Sequence, residues 1–211
     1  MSISCPLCLN QNHREIENQL SFKLYQCFEC FLIYKDPLHF LDLQEEKSRY
    51  ENHENTEESE GYIKFLNRLR LPLLPFLKNK KMGLEFGCGP GPVLKDLFEQ
   101  DGFQMQVYDP FFYPDIPKKQ FDFITSTEVI EHFHKPNKSF EQINSLLLPQ
   151  GILALMTYTY SDPGLIENWW YLNDPTHVSF YHQKTFEYLS EHFSWLILKN
   201  NSNLAFFQKG P

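Results

Sequence analysis

An α/β fold is what this sequence predicts: an open sheet of mostly parallel strands that ends in an antiparallel hairpin, with a small separate module ahead of it. Three observations predict it. From residue 82 onward, short apolar runs of strand length alternate with stretches of helical spacing. The run Leu84-Glu85-Phe86 breaks into Gly87-Cys88-Gly89-Pro90-Gly91-Pro92, three glycines at alternate positions between a strand and a helix. Near the start, four cysteines stand as Cys5-x2-Cys8 and Cys27-x2-Cys30, a spacing that suits two knuckles around one metal ion.

The first module spans residues 1–35. Leu20 to Gln26 alternates like a strand leading into the second knuckle, so the segment reads as a zinc ribbon. Four thiolates leave no open coordination position, which makes the expected Zn2+ structural. A segment this short builds little core, so the metal is expected to supply much of its folding energy. Residues 36–80 read as an acidic connector followed by a helix. Asp36-Pro37 breaks the ribbon, and seven glutamates between positions 44 and 60 suggest a solvated segment. Tyr50 and His53 are the lid candidates within it. Tyr62, Phe65, Leu66, Leu69, Leu73, Leu74 and Leu77 then form a helical stripe interrupted by Pro72 and Pro75.

The main domain, residues 81–211, reads as strand 82–86, helix 92–100, strand 104–109, strand 121–127, helix 137–148 and strand 151–159. A helix at 183–193 and strands 195–200 and 204–209 complete it, the last two joined by the turn composition of Asn200-Asn201-Ser202-Asn203. Only eleven residues separate Asp109 from Phe121, with prolines at 110, 114 and 117. A parallel crossover needs a dozen or more, so one helix and strand are expected to be missing there.

The glycine turn carries the first functional signal. Glycines at a strand-to-helix turn let backbone approach a ligand closely, and the opening helix favours polar groups. Asp109, eighteen residues past Gly91 and at the end of the next strand, sits where a ribose diol would be held. An adenosine-containing cofactor is implied. The dinucleotide fingerprint wants its third glycine at position 92, which is Pro92 here, so NAD is the weaker reading. The form E-x-G-x-G-x-G resembles motif I of the class I S-adenosylmethionine (SAM)-dependent methyltransferases. Tyr108-Asp109, the run from Phe121 to Phe133, and Leu148-Pro149-Gln150-Gly151-Ile152-Leu153 resemble later motifs of that family, across roughly residues 82–209. The resemblance extends to a bacterial subset with an N-terminal zinc ribbon. It implies a Rossmann-like class I methyltransferase sheet with its third strand absent, and SAM as cofactor. The cofactor contacts it implies are Glu85, Gly87, Cys88, Gly89, Gly91, Asp109, Pro110, Phe111, Thr127, Glu128 and His132. Since the missing strand usually helps hold adenine, Phe111, Phe112 and Tyr113 are candidates for an aromatic wall in its place.

The acceptor side is expected after strand five, at the carboxyl ends of the strands. Trp169-Trp170-Tyr171-Leu172-Asn173-Asp174-Pro175-Thr176-His177 is costly to leave in a mobile loop and suggests a polar-tipped pocket. His177 is the expected base or hydrogen-bonder, because imidazole titrates near neutrality, and Asp174 is placed to orient it. Glu131 and His132 are assigned to the rim of the cofactor site, and His134 to the surface.

Composition narrows the class. Net charge is −8, and in the first 35 residues Arg14, Lys23 and Lys35 balance Glu15, Glu17 and Glu29, which disfavours a grip on nucleic acid. No apolar run spans a membrane, and no signal-peptide pattern is seen, so a cytoplasmic enzyme with reduced cysteines is expected. The leading expectation is methyl transfer to a small molecule or a carrier- or nucleotide-linked metabolite. An RNA methyltransferase with a docking ribbon, and a non-catalytic scaffold, stay open.

Overall fold

A computed structural model of the chain describes residues 3–51 and 60–211; His53 and Asn55 lie outside the described residues. The main sheet is built from β4 (Met82–Phe86), β5 (Gln104–Tyr108), β6 (Phe121–Thr127), β7 (Leu147–Met156), β9 (Trp195–Asn200) and β10 (Leu204–Lys209). Its order is β5-β4-β6-β7-β10-β9. The first four strands run parallel, and β10 runs antiparallel to both β7 and β9. Among the described residues no strand lies outside β5 in this sheet, and residues 110–113 instead form a tight turn closed by Asp109 and Tyr113. The eleven-residue gap was thus a true absence: it is too short for a crossover helix and strand.

Strand alternation explains the layers. Along β7, Leu153 and Leu155 face one core, and Ile152, Ala154 and Met156 face the other. The second face is covered by α2 (Glu60–Leu73) through Leu66, Leu69 and Leu73, and by α3 (Val93–Gln100) through Val93, Leu94, Leu97 and Phe98. The first face is covered by α4 (Pro136–Leu146) and α5 (Gln183–Phe193), with Phe140, Ile143, Phe186 and Leu189 buried there. Helix α2 contains Pro72 and passes into a 3-10 turn at Leu74–Leu77, as the two prolines require. Helix α4 ends at Leu146, and Leu148 to Gly151 belong to β7 rather than to the helix end expected from sequence. They form a bulge, with Gln150 at φ 60° and a register jump between Phe121 and Phe123. At its other end β7 stops at Met156, short of the expected 159.

The N-terminal module is not a free-standing ribbon in its packing. Strands β1 (His13–Ile16), β2 (Leu24–Cys27) and β3 (Ile33–Lys35) form an antiparallel sheet whose fourth strand, β8 (Ser179–Phe180), comes from the segment after strand β7. Cys5, Leu32 and Tyr34 share one apolar cluster with Leu84, Phe86, Phe140 and Tyr181. The solvated connector is also corrected in part. Residues Leu43–Glu51 form helix α1, with Glu46 buried and Tyr50 packed against Phe111 and His132. Among the described glutamates of the run, Glu46 is the one drawn into the interior.

Candidate functional site

The cysteine knuckles converge. Cys5 Sγ lies 3.5 Å from Cys30 Sγ and Cys8 Sγ 3.4 Å from Cys27 Sγ, and all four sulfurs fall within 4.8 Å of one another. Sulfurs bound tetrahedrally at about 2.3 Å would stand about 3.8 Å apart, whereas a disulfide needs about 2.05 Å. All are free thiols. Each knuckle turns through a non-glycine residue with positive φ just after its second cysteine, Leu9 at 61° and Phe31 at 58°. That geometry costs roughly 1–2 kcal/mol per residue, and bonds such as Leu9 N–H to the Cys5 carbonyl at 2.9 Å hold the turn. The donor set fits a structural zinc ion. Cys88 stands apart from it, buried in the glycine turn.

One cavity of about 980 Å³ gathers the rest of the site. Its first wall is the strand-to-helix turn. Gly87 and Gly89 have φ of 81° and 64°, the left-handed region that glycine enters at no steric cost. Gly87 N–H bonds the Tyr108 carbonyl at 2.7 Å, and Gly89 N–H donates to Asp109 Oδ2 at 2.9 Å. Asp109 Oδ1 accepts from Phe111 and Phe112 N–H at 2.9 and 3.2 Å. One carboxylate thus fixes the glycine turn and the aromatic turn beside it. Glu85 accepts from Lys95 N–H at 2.9 Å and steadies the start of α3. Cys88, Pro110, Phe111, Thr127, Glu128 and His132 line the same cavity. Gly91 does not: its carbonyl accepts Val93 N–H at 2.9 Å, so it serves the turn into α3.

The opposite wall comes from the segment after β7. Tyr171 is buried and its hydroxyl donates to two carboxylates, Glu131 and, at 3.1 Å, Glu128. Glu131, fully buried, also accepts from Thr157 Oγ1 at 2.9 Å. His177 Nδ1 lies 2.7 Å from the Tyr171 carbonyl. A carbonyl only accepts, so Nδ1 carries the proton and Nε2 carries the lone pair. Asp174 does not orient His177 as expected from sequence. Its Oδ1 takes Thr176 N–H and Oγ1 at 3.0 and 2.6 Å and faces Arg49 of α1 at 3.5 Å. The backbone holds the imidazole instead. His134 is corrected too: it lies on the cavity wall, stacked on Phe40 and 3.6 Å from Glu46.

What positions this wall is the ribbon. Lys35 N–H bonds the Val178 carbonyl and Val178 N–H bonds the Glu131 carbonyl, both at 2.9 Å. Buried Lys35 Nζ donates to the Pro175 carbonyl at 2.9 Å. Ser179 Oγ and Tyr181 Oη tie the same segment to Phe133 and Ile130. Sequence reading missed Lys35, Tyr171 and Arg49 as site residues. The run of aromatics around Tyr171 was the signal for one of them; Lys35 and Arg49 had none.

Comparison with known proteins decides the family. A family model described as a methyltransferase domain matches residues 56–198. The chain belongs to the methyltransferase family. Among solved structures, the N-methyltransferase NodS from Bradyrhizobium japonicum WM9, in complex with S-adenosyl-L-homocysteine, is similar in fold. It has a TM-score of 0.53 at 14% identity, over 79% of this chain and 98% of that one. The plantazolicin methyltransferase BpumL, in complex with a triazolic desmethylPZN analog and SAH, is similar with a TM-score of 0.50 at 14% identity, over 80% and 91%. No curated protein matches in sequence. The six-stranded sheet and these likenesses show the fold of the class I SAM-dependent methyltransferases.

The methyltransferase's own cavity fits that cofactor. A Cβ built on Gly89 meets nothing within 4 Å, so the turn opens onto free space. Thr127 Oγ1 and Glu128 Oε1 are buried without a hydrogen-bond partner among the described residues, which is costly unless a ligand satisfies them. A volume of about 980 Å³ is at the upper end for a single small-ligand pocket, so the cavity has room for the cofactor. Gly87 and Gly89 should separate in their responses. Gly87→Ala sets a methyl 2.3 Å from Val129 Cγ1 and is expected to destabilise by about 2–5 kcal/mol through strain and overpacking. Gly89→Ala costs about 1–2 kcal/mol of backbone strain but enters the ligand space, so cofactor affinity should fall while Tm changes less. Thermal melts paired with calorimetry check both.

Burial sets the electrostatics of the methyltransferase site. Loss of water raises the Glu85 carboxyl to about 8, against a helping bond from Lys95 N–H. Burial also raises Glu128 and Glu131, Glu128 further because the Glu131 charge faces it. Burial lowers His177, partly offset by the Tyr171 carbonyl and Asp174. A carboxyl that is harder to ionise when folded binds more protons folded than unfolded, so its stability contribution is lost as pH rises towards the folded value. Each unit is about 1.4 kcal/mol. Below 6.5 His177 acts in the opposite sense, and above about 8 so does Lys35, lowered by burial to about 8. Without ligand, Tm is therefore expected to fall between pH 6.5 and 8, and Glu85→Gln should flatten the fall. A Tm that rises over that window would contradict it.

Proposed function

We infer that the methyltransferase moves a methyl group from SAM to a small-molecule or carrier-linked metabolite in a reducing compartment such as the cytoplasm. The observation that carries this is the single cavity with two unlike walls. Glycine backbone and Asp109 face one side, and Glu128, Glu131, Tyr171 and His177 stand on or behind the other. When bound, SAM supplies an electrophilic methyl group on a sulfonium. The chain must then place a nucleophile in line with it, exclude water and manage a proton.

Asp109 and Gly89 hold the adenosyl end, and Phe111, packed on Tyr50 at 5.5 Å between ring centres, covers it. Helix α1 closes the cavity through Tyr50 and Arg49, shielding the reaction from solvent. His177, with Nδ1 held by a carbonyl, turns its basic Nε2 side to the acceptor. Burial favours its neutral form, the form a base requires. Macromolecular RNA is disfavoured as acceptor, since burial of Lys35 leaves the ribbon with even fewer surface cations.

The test is transfer of an isotopically labelled methyl group from SAM into fractionated metabolites. Labelled small products are expected, and label only in RNA or in no fraction would overturn the assignment. On the substrate so found, His177→Gln is expected to cut kcat about 10²–10⁴-fold with little change in SAM affinity. Unaltered turnover would reduce His177 to a structural role.

A further inference from the structure

We propose that Glu131, His132 and His177 form a second metal site, separate from the cysteine cluster, that binds a divalent transition-metal ion on the acceptor side of the cavity. The inference rests on the methyltransferase reading above and deepens it, because such an ion selects acceptors that present oxygen. The ligand atoms of these three residues lie within 4.8 Å of one another. Ligands about 2.1 Å from an ion stand about 3 Å apart when adjacent and about 4.2 Å when opposite, so side-chain adjustments of about 1 Å close the site.

The support around the cluster has the form that metal sites need. A ligating imidazole usually donates its other N–H to a backbone carbonyl or carboxylate, which fixes tautomer and ring direction. Both histidines do this: His177 Nδ1 faces the Tyr171 carbonyl at 2.7 Å, and His132 Nδ1 faces the Thr176 carbonyl at 3.3 Å. Nε2 is then the ligating nitrogen of each ring. The carboxylate is steadied in the same way, by Thr157 Oγ1 and by the Tyr171 hydroxyl. The rings of His132 and His177 lie 4.7 Å apart at 69°, edge to face rather than stacked. Glu131 is fully buried behind them, whereas both histidines reach the cavity wall.

The donor set states which ion. Two imidazoles and one carboxylate suit Mn2+, Fe2+, Co2+ or Zn2+ and suit all-oxygen ions such as Mg2+ and Ca2+ poorly. Three ligands on one side leave coordination positions open to the cavity. An acceptor hydroxyl, carboxylate or pair of neighbouring oxygens is the chemistry those positions take, and an apolar or cationic amine acceptor is not. In this arrangement the Nε2 lone pair of His177 is given to the ion, so His177 acts as a ligand in place of its role as a free base, and the loss of turnover expected of His177→Gln then reports loss of the ion.

Co2+ titration of the full-length, zinc-loaded protein tests the site. The weak visible bands of a nitrogen- and oxygen-ligated ion are expected, saturating at one Co2+ per chain, without the thiolate charge-transfer band that entry into the cysteine cluster would give. His132→Ala and His177→Gln should each weaken Co2+ binding about tenfold or more. Glu131→Gln should do the same, and because Glu131 also accepts from the Thr157 and Tyr171 hydroxyls, its folding is checked by near-ultraviolet circular dichroism while the two histidine variants carry the result. Bands absent at millimolar Co2+, bands of thiolate type only, or equal affinity in the histidine variants would overturn the proposal. Calorimetry with SAM keeps the two readings apart. Cofactor binding without Co2+ binding removes the metal site and leaves the methyltransferase reading intact. Co2+ binding without cofactor binding does the reverse to the parent reading and removes the acceptor role given to the ion.

Discussion

The Cys27→Ser variant is expected to lose its zinc and, with it, the cavity wall that carries Tyr171 and His177. A serine hydroxyl is not a thiolate, and three sulfurs bind zinc far less tightly than four. Structural zinc sites contribute on the order of 10 kcal/mol or more of binding free energy that is also folding free energy. A domain of ordinary stability has about 5–15 kcal/mol in total, so the loss is of the same size as the whole. It does not stay local. Strand β3 pairs with β8 through Ile33–Phe180 and Tyr34–Ser179, and Lys35 holds Pro175, two residues from His177. Pro6 also accepts Asn137 N–H at the start of α4. Metal analysis should show about one zinc in the parent and less in the variant, with a large drop in Tm and loss of turnover. A variant that keeps its Tm and activity after losing zinc would refute the structural role.

Replacing Asp109 with alanine should have the second largest effect, on cofactor affinity. The carboxylate takes three backbone N–H groups, from Gly89, Phe111 and Phe112, and bonds to a charged acceptor are worth about 1.5–3 kcal/mol each. Asp109→Ala therefore frees both the glycine turn and the aromatic turn while removing the carboxylate proposed to hold the cofactor's ribose. Affinity for S-adenosylhomocysteine is expected to fall about 100-fold or more, about 2.7 kcal/mol by the usual conversion. Asp109→Asn, which keeps one acceptor oxygen, should fall between the two. Calorimetry that finds unchanged affinity in the alanine variant would remove Asp109 from the cofactor site.

Much of this architecture was readable before any coordinates. The limits of β4 and β6, helix α5 and the final hairpin followed from period and turn composition. So did the missing strand, because chain length alone forbids a crossover between Asp109 and Phe121. Boundaries went wrong where local preference was overruled. Leu148 to Gly151 looked like a helix end because Pro and Gly mark turns, yet neighbouring strands capture them as a bulge. Helix α1 was hidden for a related reason. Its glutamates read as solvated, but Glu46 is buried between the Tyr50 hydroxyl, at 2.7 Å, and His134, partners that lie in another element or one turn away.

The chain alone determined two things about this methyltransferase: that four thiols at knuckle spacing would meet, and that a glycine bend would face an acid at the end of the next strand. Both are local patterns in which covalent spacing dictates geometry. Only the tertiary structure decided that the thiol module shares its sheet with the segment after β7, that Tyr171 bridges Glu128 and Glu131, and that a backbone carbonyl rather than Asp174 directs His177. Those relations join residues far apart in sequence. They arise from strand pairing and burial in a shared core, and no periodicity along one segment encodes them.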